Sequence, residues 1–213
     1  KKAIKSKNKD RLTKECNNLI NVFASITNLK LDKIKTIRAK MDPENNIIMQ
    51  RIYPPTGQDK SIQIDYSVID DEYDEKWKVY NPSNIIELKL ISGEDINTNI
   101  PYQLGCLWMA MILKFKMALW EPELVIGKLN ADIENSLFII DFDKAARVND
   151  DFKTLKDGNP IYTTLTNIFP QPTTRYFEPF ADGIRSVCER FNKGEIATFV
   201  IEGIQELYKS QMI

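Results

Sequence analysis

Apolar residues recur at three- and four-residue intervals near the start of the chain, a spacing that places them on one side of an α-helix. This pattern predicts an amphipathic helix over residues 10–28, with Asp10 near its N-cap. The apolar positions are Leu12, Cys16, Leu19, Ile20, Phe23 and Ile26.

Three further segments carry helical patterns. Residues 101–120 are apolar on nearly every side, which predicts a buried central helix. Residues 176–191 and 195–210 predict two closing helices, and Gly194 between them is the expected helix-stop residue.

Shorter apolar runs, bounded by Gly, Asn, Asp and Pro, predict strands. Residues 124–129 and 137–143 are the most apolar of these runs, and we expect them at the centre of the sheet. A turn signal at residues 42–45 precedes the first of the remaining strands. These strands are predicted over residues 46–53, 61–69 and 84–91.

These elements predict an α+β fold in which a mixed or antiparallel sheet is covered by the buried central helix and the two C-terminal helices. We expect a single compact domain over residues 10–213, behind a basic N-terminal tail at residues 1–9. Residues 30–40 are predicted as a basic connection between elements, and residues 70–77 as an acidic loop.

Composition is consistent with one core, since the chain has 213 residues of which 43% are hydrophobic. The longest apolar stretch, residues 104–113, is too short to span a bilayer, so we expect no membrane partner. Cys16, Cys106 and Cys188 are odd in number and set among apolar residues, which favours buried reduced thiols and a cytoplasmic location.

The chain contains no histidine, and this limits its chemistry. Serine and cysteine triads, zinc sites built on histidine and the catalytic loop of protein kinases all require that residue. There is also no Cys-x-x-Cys pair to hold a structural zinc. We therefore expect a protein without enzymatic activity and without a cofactor.

Charge is distributed unevenly along the chain. Residues 1–40 contain twelve Lys or Arg against three acids, or +9, whereas residues 59–95 contain four Lys against ten acids, or −6. A surface polarised in this way attracts phosphate at one end and repels it at the other. The candidate RNA-binding residues are Lys1, Lys2, Lys5, Lys7, Lys9, Arg11, Lys14, Arg38 and Lys40.

One enzymatic alternative is a metal-dependent nuclease of the PD-(D/E)xK type. Asp65, then Glu87 and Lys89, occur on successive predicted strands ahead of Gln103, which is the order of two metal-binding carboxylates and a charge-stabilising lysine. Strand alternation equally predicts that Glu87 and Lys89 form a solvent-facing ion pair, and we favour that interpretation.

A second alternative is a degenerate kinase-like protein. Asp141 and Asp143 end a strand in the way that a metal-binding strand of a kinase does. In this alignment Lys128 occupies the position of the catalytic aspartate, and the eight glycines form no nucleotide-covering loop. The pattern therefore favours Asp141 as a hydrogen-bonded residue of a core strand.

Several short motifs occur in a distinctive order, and they lie at residues 49–55 (MQRIYPP), 118–120 (ALW), 123–127 (ELVIG), 137–145 (LFIIDFDKA) and 169–172 (FPQP), ahead of Phe180 and Gly183. This order resembles the microsporidian dormancy-factor family and its fungal relatives of unknown function. The resemblance spans roughly residues 46–190.

The resemblance implies a non-enzymatic factor that occupies the tRNA exit-site (E-site) region of the ribosome and keeps the ribosome inactive. Its partners would be ribosomal RNA, bound through the basic residues 1–40, and lysine-rich ribosomal proteins, bound through the acidic residues 59–95. We expect it to bind as a monomer. Four aromatic residues are candidates for partner contacts and for stacking on unpaired bases, and they are Tyr53, Trp77, Tyr80 and Tyr176.

Overall fold

The computed structural model describes residues 9–29, 31–32, 34–44, 46–54, 62–64, 78–80, 99–119, 123–129, 135–140, 142, 145–147, 172 and 176–211. The helices within these residues are α1 (Lys9–Leu29), α2 (Asn99–Phe115), α3 (Phe177–Arg190) and α4 (Gly194–Gln211). The strands are β1 (Ile34–Lys35), β2 (Ala39–Met41), β3 (Ile47–Met49), β4 (Ile62–Ile64), β5 (Lys78–Tyr80), β6 (Met117–Ala118), β7 (Glu123–Gly127), β8 (Ser136–Ile140) and β9 (Ala146–Arg147).

A five-stranded sheet lies at the centre of the fold, with the strand order β1-β8-β7-β4-β5. Strands β7 and β8 are antiparallel neighbours, with Val125 opposite Phe138, and β4 adds to β7 in the same antiparallel sense. Strands β1 and β5 join in parallel at the two edges. The mixed sheet confirms the predicted α+β class, and it confirms β7 and β8 as central strands.

Helices α2 and α3 approach each other more closely than side chains would permit. A Cβ atom added to Gly105 would overlap the carbonyl oxygen of Phe180, and one added to Gly183 would lie 2.8 Å from the Cys106 nitrogen. Tyr102 donates a hydrogen bond of 3.1 Å to Ser186 across the same contact. The two glycines therefore set the distance between the helices.

The central helix is shorter than its apolar pattern predicts. It begins at Asn99 and ends at Phe115, because Lys116 takes a left-handed conformation with φ 52°. The chain then continues as β6, whose Met117 and Ala118 are buried and pair with β9. Periodicity did not reveal this end, since the apolar run continues through the buried strand.

The connection between α3 and α4 corrects a second prediction. Asn192, not Gly194, is the helix-stop residue: its φ is 54°, and its N–H donates to the Glu189 carbonyl at 3.0 Å. The Lys193 N–H donates to the Cys188 carbonyl at 2.8 Å, which completes a Schellman motif. Gly194 is the first residue of α4 and has no heavy atom within 4 Å of an added Cβ.

Two segments predicted as connections contain strands. The basic connection at residues 30–40 includes β1 and the start of β2. The segment directly after the predicted acidic loop forms β5, which pairs with β4 at the edge of the sheet. The predicted strand over residues 84–91 lies outside the described residues. These short strands depend on partners distant in sequence, so local composition does not identify them.

The three cysteines are buried and none forms a disulfide, as predicted. Burial raises the pKa of the Cys188 thiol to about 11, so this group stays protonated near neutral pH. Among the helices that the structure describes, none has the length and apolar composition needed to cross a bilayer.

Substitution of the glycine at the helix crossing tests its structural role. We expect Gly183→Ala to lower the free energy of unfolding by about 1–3 kcal/mol, because the new Cβ forces α2 and α3 apart. Gly194→Ala is the matched control, and it should raise stability by about 0.4–1 kcal/mol, because it restricts the unfolded chain without a clash. Urea denaturation measures both changes, and equal effects would refute the packing argument.

Candidate RNA-binding surface

Strands β2 and β3 form a hairpin that packs on the first half of α1. Ala39, Met41 and Met49 contact a small apolar cluster that contains Leu12 and Cys16 of the helix. Neighbouring residues of a strand point to opposite faces, so Lys40, between Ala39 and Met41, points away from this cluster and is exposed. The hairpin therefore presents an apolar side to α1, whereas its other side carries Lys40 and its cross-strand partner Ile48.

Asp42 holds the turn of this hairpin. Its Oδ1 atom accepts hydrogen bonds from the backbone N–H groups of Glu44 at 2.9 Å and Asn46 at 2.8 Å. Its Oδ2 atom accepts a third from the Asn46 side chain at 3.0 Å. These bonds, those from Asn46 first, hold the pKa of the Asp42 carboxyl below its usual value. The Asp42 carboxylate therefore stabilises the turn through these three hydrogen bonds.

Arg38 is held at the open end of the hairpin. Its guanidinium carbon lies 5.3 Å from the centre of the Phe23 ring on α1, a cation–π contact. Its backbone N–H donates to the Gln50 side chain at 2.9 Å, and the Gln50 N–H donates to the Arg38 carbonyl at 3.1 Å. The backbone of Arg38 is therefore held in place while its side chain remains exposed.

Arg51 and Tyr53 form a second such contact, one residue beyond Gln50. The guanidinium carbon of Arg51 lies 5.1 Å from the centre of the Tyr53 ring, and both residues are exposed. The Tyr53 backbone makes two hydrogen bonds with Lys128, of 2.6 Å and 2.9 Å, at the end of β7. The pair is therefore attached to the central sheet through its backbone.

Three basic residues of this region, Arg38, Lys40 and Arg51, are not paired with any acid that the structure describes. Arg185 on α3 shows the contrast, since it lies 2.7 Å from both Glu178 and Asp182. We call Arg38, Lys40 and Arg51 the hairpin cations.

Arg11 and Lys14 of α1 are exposed, but Lys14 does not face the hairpin. Each residue turns a helix by about 100°, so Lys14 lies roughly opposite Leu12 and Cys16, which face the hairpin. Arg11 is exposed in the first turn, and Lys9 begins the helix. Arg38 and Lys40 lie two positions apart on the hairpin, whereas Lys14 lies on the far side of α1. Lys1, Lys2, Lys5 and Lys7 lie outside the described residues.

The four predicted aromatic contacts separate into different environments. Tyr53 is 36% exposed, as a stacking residue requires. Tyr176, immediately before α3, is only 4% exposed, so its ring is part of the core and is not accessible to a partner. Tyr80 ends the edge strand β5, and Trp77 lies outside the described residues.

The enzymatic alternatives receive no support from the described residues. Asp65, Glu87, Lys89, Asp141 and Asp143 all lie outside them. In the residues that are described, no three Asp, Glu or Cys side chains approach one another as metal ligands. Lys128, which takes the place of the catalytic aspartate in the kinase-like alternative, is 9% exposed at the end of β7.

Arg51, Phe23 and Gln50 were not among the residues predicted from sequence. One signal was present: Arg51 and Tyr53 are two positions apart, and in an extended chain such residues share a face. Phe23 was assigned to the core side of α1, and no sequence feature shows that it would lie under Arg38.

Comparisons with protein-family models, with curated proteins and with solved structures find no match to this chain.

The hairpin turn should make stability depend on acid pH. The pKa of Asp42 is lowered in the folded state, so its contribution is present above the usual aspartate pKa of about 3.9 and is lost as pH falls below it. Asp42→Asn removes the charge but keeps the shape. We expect the denaturation midpoint of the wild type to fall more between pH 5 and pH 2.5 than that of the variant. Parallel pH curves would contradict this role.

Proposed function

We propose that the protein is a non-enzymatic, cytoplasmic factor that binds the ribosome in the tRNA exit-site region and keeps it inactive. The observation that carries the RNA-binding part is the group of hairpin cations, which are exposed and unbalanced by acids within the described residues. The resemblance of residues 46–190 to the dormancy-factor family supports the ribosome as the particular partner.

The hairpin cations suit phosphate in charge and in geometry. Arginine presents a planar fork that binds phosphate through two hydrogen bonds, and Arg38 and Arg51 are each positioned over a ring. Lys40 adds a mobile point charge on the same hairpin. Neutralising RNA phosphates releases counterions, which gives a binding energy that depends strongly on salt.

The opposite sign of charge dominates the outer surface of α3 and α4. Six exposed carboxylates lie along these two helices, against three basic residues within them and Lys193 between them. This surface suits lysine-rich ribosomal proteins, and it would repel RNA, so it favours one orientation of the bound protein. The carboxylates are Glu178, Asp182, Glu189, Glu195, Glu202 and Glu206.

The N-terminal lysines provide one test of the proposal. Replacing Lys1, Lys2, Lys5, Lys7 and Lys9 by Gln should weaken co-sedimentation with ribosomes and flatten its dependence on salt, because up to five phosphate contacts are lost. Unchanged sedimentation over a salt series would remove these lysines from the interface.

The hairpin cations provide a second test. The triple variant Arg38→Gln, Lys40→Gln, Arg51→Gln should lower the slope of log affinity against log salt by about two to three, in proportion to the phosphates released.

Arg185→Gln is the matched control for the hairpin variant, because it removes one exposed cation that acids already balance. Its slope should equal that of the wild type. If the triple variant also binds ribosomes with the wild-type slope, the hairpin is not the RNA-binding surface.

A further inference from the structure

The Arg51–Tyr53 pair differs from the Arg38–Phe23 pair in which of its groups are exposed to solvent. In the Arg38–Phe23 pair the ring is half-buried against the hairpin. In the Arg51–Tyr53 pair the cation and the ring are both exposed, so two flat groups stand at the surface together. A flat group of this kind offers a stacking surface, which phosphate recognition alone does not need.

The position of this pair is fixed by the backbone. Tyr53 exchanges two hydrogen bonds with Lys128, and Lys128 directly follows the central strand β7. On the other side, Gln50 is held against Arg38 at the end of the hairpin. The pair therefore sits on a rigid support, which reduces the entropy lost when a ligand is bound.

We propose that Arg51 and Tyr53 form a stacking site for an unpaired base of single-stranded RNA. The inference rests on the proposed RNA-binding function and adds the kind of RNA that is preferred. The base stacks on the accessible face of the pair, while Arg38 and Lys40 hold neighbouring phosphates on the same hairpin. Tyr53 lies three positions after Gln50, which is hydrogen-bonded to Arg38, and three positions span about 10 Å of extended chain. One short RNA strand can therefore contact both Tyr53 and Arg38.

Base stacking favours single strands over duplexes for a physical reason. In a duplex the faces of the bases are covered by their neighbours, and the deep, narrow major groove of A-form RNA keeps side chains from the base edges there. An unpaired base has a face available, and its stacking on an aromatic side chain does not depend strongly on sequence. Charge attracts both forms of RNA, but the Arg51–Tyr53 pair distinguishes between them.

The test compares three labelled ligands that carry equal numbers of phosphates per strand: oligoadenylate of about twelve nucleotides, an RNA duplex of that length, and an abasic strand. Tyr53→Ala should weaken binding of oligoadenylate by roughly five- to 100-fold, and should leave binding of the duplex and the abasic strand unchanged. Tyr53→Phe should bind all three as the wild type does. Arg51→Lys keeps the charge but loses the planar fork, which serves phosphate as well as the base, so it should lose more affinity for oligoadenylate than for the duplex or the abasic strand.

Phe191→Ala is the matched control, because Phe191 is an aromatic residue of similar exposure, 41%, in the turn after α3. It should leave all three affinities unchanged. The Tyr53 variants should fold, because the backbone of Tyr53 and not its side chain pairs with Lys128. Thermal unfolding checks this.

The outcomes separate the two proposals. Equal weakening of all three ligands by Tyr53→Ala, or no weakening of any, overturns the stacking site even if ribosomes are bound as proposed. Selective loss of oligoadenylate binding supports the stacking site, and ribosome sedimentation then decides separately whether the ribosome is the partner. Absence of binding to any RNA and to ribosomes overturns both proposals.

Discussion

The contact between α2 and α3 is the constraint on which the described core depends. At Gly105 and Gly183 the two backbones meet without an intervening side chain, and any Cβ there would overlap the opposite helix. Trp108 and Phe180 stack at a tilt beside this point, with their ring centres 6.4 Å apart. Because α2 is buried on nearly all sides, its distance from α3 also determines how much space the sheet and α4 have to fill.

The first helix packs into this core through Leu19, Val22 and Ile26, and directed hydrogen bonds add to this packing. Asn18 of α1 donates to the Phe142 carbonyl at 2.9 Å, and Thr36 donates to the Ile139 carbonyl at 3.0 Å. A small apolar cluster around Ile47 joins the hairpin to α1. Lys40 points away from this cluster and is exposed, so a charged side chain there costs little stability.

This separation is compatible with a fold that is stabilised on one side and carries the proposed RNA-binding surface on the other. On α3, Arg185 is balanced by Glu178 and Asp182, as is typical of a helix surface that only needs to be soluble. On the hairpin, Arg38 and Arg51 are positioned over aromatic rings, which orients the guanidinium groups, and neither pairs with an acid among the described residues. Oriented cations of this kind are suited to a polyanion, and the accessible ring of Tyr53 extends the surface from phosphate to base.

Sequence alone determined those features that depend on local periodicity. The spacing of apolar residues located α1, α3 and α4 within a residue or two, and it identified β7 and β8 as central, because burial of one side of an element imposes that spacing. The charge of the N-terminal part is also a property of the sequence. Tertiary structure decided the rest: the end of α2 at Lys116, the pairing of β5 with β4, and the burial of Tyr176. It also placed the Tyr53 backbone against Lys128. Each of these depends on contacts between residues far apart in the chain, and a local pattern carries no information about which distant partner will be met.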